Sequence, residues 1–114
     1  MRGRHEDTVH GHHPPAGPGI TRLAVTGEVE MSTSDGLREL IANALAAEGL
    51  RELIVYLDAV QFLDSTGIAA LVAGHNTATQ RGVTYRIVNP RHMVREVLDI
   101  TGVLPTLTDP RPPA

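Results

Sequence analysis

The chain has no cysteine, no tryptophan and no lysine, and all ten of its basic residues are arginine. Without cysteine there is no disulfide framework, no thiolate zinc site and no thiol nucleophile. Without lysine there is no Schiff base, and no P-loop, whose lysine holds the phosphates. Tyr56, Phe62 and Tyr85 are the three aromatic residues, so the core must be aliphatic and little is left to stack bases. A formal charge of -3 argues against a binder of nucleic-acid backbone, which needs a basic surface. No apolar run approaches the roughly 20 residues of a membrane-spanning helix. The polar N-terminus has no apolar signal-peptide segment. These exclusions lead to the expectation of a cytoplasmic domain with neither nucleic acid nor membrane as partner.

What is present suits one domain of 114 residues with a single core. Residues 1–19 hold four histidines, three prolines and four glycines but only one valine and one alanine. They are expected to form a disordered tail, with at most a short strand around Thr8. His10, His12 and His13 could ligate a metal. Clustered histidines without a scaffold read better as a solvated tail, and no metal or other cofactor is expected. Residues 109–114, with three prolines, read as a flexible C-terminal tail. The domain proper is expected over residues 20–108.

Residues 20–26 alternate, with Thr21, Leu23 and Val25 on one face, and predict a strand. Leu37, Leu40, Ile41, Ala44, Leu45 and Glu48 fall at helical spacing, with Asp35 in the first turn and Gly49 as the terminating residue. Residues 53–57 are continuously apolar, as in a strand buried on both faces. Residues 67–81 predict a second helix, rich in small residues, with Ile68, Leu71, Val72 and Ala78 inward and Gly82 as its stop. Residues 83–88 predict a third strand. Asn89 then reads as an N-cap and Pro90 as the first helical residue. In that third helix Val94, Val97 and Leu98 face inward, and Gly102 ends it. Residues 103–107 could form a last extended piece. The order β-α-β-α-β-α predicts an α/β fold with a mostly parallel sheet and helices packed against it.

The segment from Val60 to Ile68 joins the buried strand to the small-residue helix. It places Asp64, Ser65 and Thr66 at the helix N-terminus. Plain capping accounts for them, since each is a good N-cap. The same geometry makes Ser65 a reasonable phosphoacceptor, with the positive end of the helix and free N–H groups to receive a phosphate. A catalytic serine would need a base within reach. His75 lies ten residues along the helix, about 15 Å away by helical rise. His92 opens the next helix, and the surroundings are not a nucleophile elbow. No catalytic residue is expected. Glu28 and Glu30 follow the first strand, and parallel strands would bring that turn to the same sheet edge as Ser65.

Together these pieces resemble the STAS domain, and within it the anti-sigma factor antagonists of bacteria. Val25-Thr26-Gly27-Glu28-Val29-Glu30 is similar to the family's strand-end Gly-Glu-Leu-Asp. Val60-Gln61-Phe62-Leu63-Asp64-Ser65-Thr66-Gly67-Ile68 is similar to its signature Val-x-Phe-(Ile/Leu/Met)-Asp-Ser-(Ser/Thr)-Gly-Leu. Gly82, the stretch from Tyr85 to Pro90, and Val94 to Leu98 with Thr101-Gly102 follow the C-terminal half. The resemblance implies a sheet of four or five strands, mostly parallel, and a protein that is not an enzyme. It implies an unphosphorylated form that binds an anti-sigma factor, commonly also a serine kinase, and so frees a sigma factor. It implies that phosphorylation of Ser65 (Thr66 as second choice) dissolves the complex, and that a PP2C-type phosphatase resets it. Glu28, Glu30, Asp64, Ser65, Thr66 and Gly67 would border the partner surface. The alternatives are a module binding a nucleotide or small anion at the same helix end, or a scaffold with another protein partner. The chain departs from the family at Glu30, at Ser34-Asp35-Gly36, at Tyr56 and Asp58, and in the Pro/Gly/His-rich segment before Ile20.

Overall fold

The computed structural model describes residues 9–102. The elements in order are β1 (His10–His12), β2 (Ile20–Val29), α1 (Ser34–Leu45), β3 (Glu52–Leu63), α2 (Ser65–Arg81), β4 (Thr84–Val88) and α3 (His92–Ile100). One sheet runs β1-β2-β3-β4. β1 pairs antiparallel with β2, while β2, β3 and β4 are mutually parallel. The α/β class and the mostly parallel four-stranded sheet are those expected from the sequence.

Alternation along the strands decides where the core lies. Leu23 and Val25 of β2, Leu53, Val55 and Leu57 of β3, and Tyr85 and Ile87 of β4 are buried in one cluster. Leu37, Ile41 and Leu45 of α1, Ala70, Leu71 and Ala78 of α2, and Val94 and Leu98 of α3 join the same cluster. All three helices therefore cover one face of the sheet. The other face carries Arg22, Ala24, Tyr56 and Arg86, which are exposed or half-buried, and no described helix packs on it. Small residues let α2 sit close. A Cβ at Gly74 would lie 2.6 Å from the Tyr85 hydroxyl and 2.7 Å from Ile41 Cγ2. The Tyr85 hydroxyl donates to the Leu71 carbonyl at 2.9 Å, and burial pushes its pKa up.

Several boundaries differ from the sequence expectation, each for a physical reason. The tail expected to be disordered through Gly19 contributes β1, an edge strand. It docks by backbone: a Cβ at Gly11 would come within 2.9 Å of Leu23 Cδ1 and 3.0 Å of Leu40 Cδ2. Val9 packs against the core beside it. β3 continues past Leu57 to Leu63, because two register shifts against β2 place extra residues in β3. Such bulges change the inward period, and Leu57, Val60 and Leu63 are buried three residues apart.

α1 stops at Leu45 rather than near Glu48. The N–H of Ala46 caps it on the Ala42 and Asn43 carbonyls, and Gly49 lies beyond, in a turn, at φ +76. The N-cap of α3 is Arg91, not Asn89. Asn89 takes the left-handed conformation, φ 59, which asparagine tolerates and which avoids the α region disfavoured before proline. Pro90 is buried ahead of the helix and not in it. The strand around Thr8 and the extended piece at 103–107 lie outside the described residues, as does the 109–114 tail.

Candidate functional site

β2 and β3 end side by side. The Asp64 N–H donates to the Val29 carbonyl at 3.1 Å, tying the start of α2 to the end of β2. Glu28 and Glu30 flank Val29 in sequence, so their turn is held against Asp64. Glu28 is exposed and stands opposite Phe62 across the strands. The Glu30 carboxylate accepts from the Ser32 N–H. Thr33, nearly buried, locks the turn: its hydroxyl donates to the Glu28 carbonyl at 2.7 Å and accepts from the Glu30 N–H at 3.0 Å.

Asp64 is the N-cap of α2, with extended backbone (φ -108, ψ -170). Its Oδ1 accepts from the Thr66 N–H at 2.9 Å, the Thr66 hydroxyl at 2.5 Å and the Gly67 N–H at 3.2 Å. The Thr66 hydroxyl, with the Gly67 and Thr66 N–H groups adding to it against desolvation, lowers the Asp64 pKa from the usual carboxylate value. The three polar residues are thus divided between capping and exposure. Asp64 caps, Thr66 spends its hydroxyl on Asp64, and Ser65 is the exposed first residue of α2. No hydrogen bond holds the Ser65 side chain among the described residues. The free N–H groups expected at the helix end are reduced to that of Ser65, which has no hydrogen-bond partner among the described residues. Those of Thr66 and Gly67 already serve Asp64, and that of Ile68 bonds the Asp64 carbonyl at 3.0 Å.

Gly67 differs from the expectation that it borders a surface. It is buried, and a Cβ there would lie 2.4 Å from Leu63 Cδ1 and 2.8 Å from Val29 Cγ1. Its part is to let the first turn of α2 sit on the ends of both strands. Two residues were not singled out from the sequence. Met31 is 79% exposed in the turn after Glu30, and Phe62 is 39% exposed beside Glu28. A lone methionine in a polar turn has no periodicity to mark it. Together the edge presents two apolar side chains among the carboxylates of Glu28, Glu30 and Asp64, with the Ser65 hydroxyl beside them.

Neither His75 nor His92, weighed and set aside as a base for Ser65, is bonded to that hydroxyl. His75 lies far along α2 with its ring edge-on to Tyr85, centroids 6.1 Å apart, and its buried Nδ1 has no hydrogen-bond partner. His92 starts α3 at φ 51. Among the described residues no three histidine, cysteine or acidic side chains are grouped to hold a metal. No described helix is long and apolar enough to cross a membrane.

The family model of the STAS domain matches residues 15–111. The anti-sigma F factor antagonist of Paenibacillus polymyxa is 24% identical over 85 residues, which are 75% of this chain and 73% of that one. Among solved structures, the crystal structure of an anti-sigma factor antagonist from Mycobacterium paratuberculosis superposes with a TM-score of 0.77 at 24% identity. That match covers 94% of this chain and 88% of the other. The Bacillus cell fate determinant SpoIIAA in its phosphorylated form gives a TM-score of 0.62 at 17% identity, over 87% of this chain and 88% of that chain.

Proposed function

The chain belongs to the STAS domain family, and from that premise we propose that it is an anti-sigma factor antagonist switched by phosphorylation of Ser65. The unphosphorylated chain binds an anti-sigma factor in the cytoplasm, and the sigma factor held by that protein is released. The chain itself is not an enzyme. The partner is a serine kinase that transfers the γ-phosphoryl group of ATP to Ser65 Oγ, with loss of the hydroxyl proton and release of ADP. A PP2C-type phosphatase hydrolyses the ester and restores the hydroxyl.

One observation carries this reading. At the N-terminus of α2 the Ser65 hydroxyl is exposed and unbonded, while the Thr66 hydroxyl is committed to Asp64. The surrounding edge suits a protein partner, with Met31 and Phe62 as apolar contacts and Glu28 and Glu30 at their side. A phosphate on Ser65 brings about -1.5 to -2 charges. Asp64 already occupies the Thr66 and Gly67 N–H groups, so among the described residues the Ser65 N–H and the end-field of α2 offset only part of the new charge. In an interface closed over Met31 and Phe62 that charge would be desolvated with only partial compensation, which opposes binding. The same occupancy weighs against a nucleotide or small anion at this helix end.

The test has two parts. Incubation with the retained anti-sigma factor and ATP should add one phosphate, located by peptide mass spectrometry on Ser65, and none to Ser65→Ala. Phosphate on Thr66 with Ser65 unmodified would sink the assignment. A scaffold with another partner would keep that partner equally well in wild type and Ser65→Glu.

A further inference from the structure

The sheet face left uncovered by the helices holds a cavity of about 320 Å³. Cross-strand register sets its shape. His12, Ala24 and Tyr56 stand in one row on three neighbouring strands. Strands lie about 4.8 Å apart, so the backbones of His12 and Tyr56 are about 9.6 Å apart. Only the methyl group of Ala24 stands between them. A flat ring making contacts of about 3.5 Å on both faces needs about 7 Å. That spacing is wide enough to admit one aromatic ring over Ala24, in the cavity that His12, Ala24 and Tyr56 line.

The two ends of this slot differ in charge. Arg22 lies two residues before Ala24 on the same face, and it makes no ion pair among the described residues. The guanidinium of Arg86 is already neutralised by Glu52 at 2.9 Å, and among the described residues Arg22 is the arginine that lines the cavity. Asp58 lies two residues after Tyr56. Both its oxygens accept long bonds of 3.4 Å from the Asn89 amide, so it retains acceptor capacity. Along the strands Arg22 and Asp58 are about 13 Å apart, a span that the long arginine side chain narrows.

We propose that this cavity binds a small planar aromatic molecule with an anionic group at one end and an N–H donor at the other, of the aminobenzoate type. The ring stacks between Tyr56 and His12 over Ala24, the anion pairs with Arg22, and the amine donates to Asp58. Tyr56 and Asp58, where the chain departs from its family, and the histidine-bearing edge strand β1 supply the site. It lies nine residues back along β3 from Ser65 and does not depend on the partner-binding reading.

The test uses the full chain, titrated with 4-aminobenzoate and, separately, with its two halves, benzoate and aniline, by amide NMR. Saturable shifts confined to the neighbourhood of Ala24, Thr26, Tyr56 and Asp58 are expected, with each half binding about tenfold or more weakly. Arg22→Ala should reduce 4-aminobenzoate to the affinity of aniline. Tyr56→Ala should weaken all three probes, and Asp58→Asn provides a second variant if Tyr56→Ala does not fold. Absence of saturable shifts, equal binding of the halves and the whole, or unchanged binding in Arg22→Ala would overturn the proposal.

Discussion

Replacing Gly67 by alanine tests how the switch segment is seated. On a solvated helix, Gly→Ala stabilises by up to about 1 kcal/mol. Here the new Cβ would lie 2.4 Å from Leu63 Cδ1 and 2.8 Å from Val29 Cγ1. Both neighbours are fully buried, so neither can swing into solvent. Overpacking of this kind costs about 1–3 kcal/mol. Near the helix start the propensity gain is small, so the net expectation is a loss of roughly 1–2 kcal/mol. For a domain of this size that lowers Tm by roughly 5–15 °C. Thermal melts followed by far-UV circular dichroism, with urea titrations alongside, measure it. In a Leu63→Ala background the nearer obstruction is gone while Val29 remains, and the same Gly67→Ala change should cost less than in wild type, a coupling that a double-mutant cycle exposes. A Gly67→Ala protein as stable as wild type or more so would refute the close seating of α2 on β2 and β3.

Other outcomes follow from single contacts. Gly74→Ala should also destabilise, by about 1–3 kcal/mol, because its Cβ meets Tyr85 and Ile41; chemical denaturation reads this. Tyr85→Phe removes the buried bond to the Leu71 carbonyl, which keeps its helical partner, and should cost about 0.5–1.5 kcal/mol. Asp64 has a lowered folded-state pKa, so its contribution is full above the unfolded carboxylate value and fades as pH falls through the folded one. The stability difference between wild type and Asp64→Asn should accordingly shrink from about pH 5 downward; a constant difference across that range would contradict the cap. Met31→Ser combined with Phe62→Ser should weaken the anti-sigma factor complex about tenfold or more with little change in Tm, as measured by calorimetry.

Much of the fold was legible because each helix and inner strand carries its own apolar period. The stripe from Leu37 to Leu45, and the run 53–57, fix α1 and the first half of β3 without tertiary information. The second half of β3 was not legible, since bulges replace the two-residue period by burial at Leu57, Val60 and Leu63. β1 was hidden because what docks it is the absent side chain of Gly11. At the site, the Asp64-Ser65-Thr66 sequence located the helix end but could not divide the roles. That division depends on the bond from the Thr66 hydroxyl to Asp64. Met31 has no pattern at all and becomes visible only as an exposed side chain in the turn after Glu30. The slot over Ala24 depends on registers across three strands, which no linear reading supplies.

The central claim is that a single hydroxyl, on Ser65, decides whether the partner stays bound. Its most direct test is affinity purification of wild type, Ser65→Ala and Ser65→Glu from the native cell, with the retained proteins identified by mass spectrometry. Wild type and Ser65→Ala should hold an anti-sigma factor that Ser65→Glu does not. Equal retention of that anti-sigma factor by Ser65→Glu, or its absence from the wild-type sample, would contradict the account.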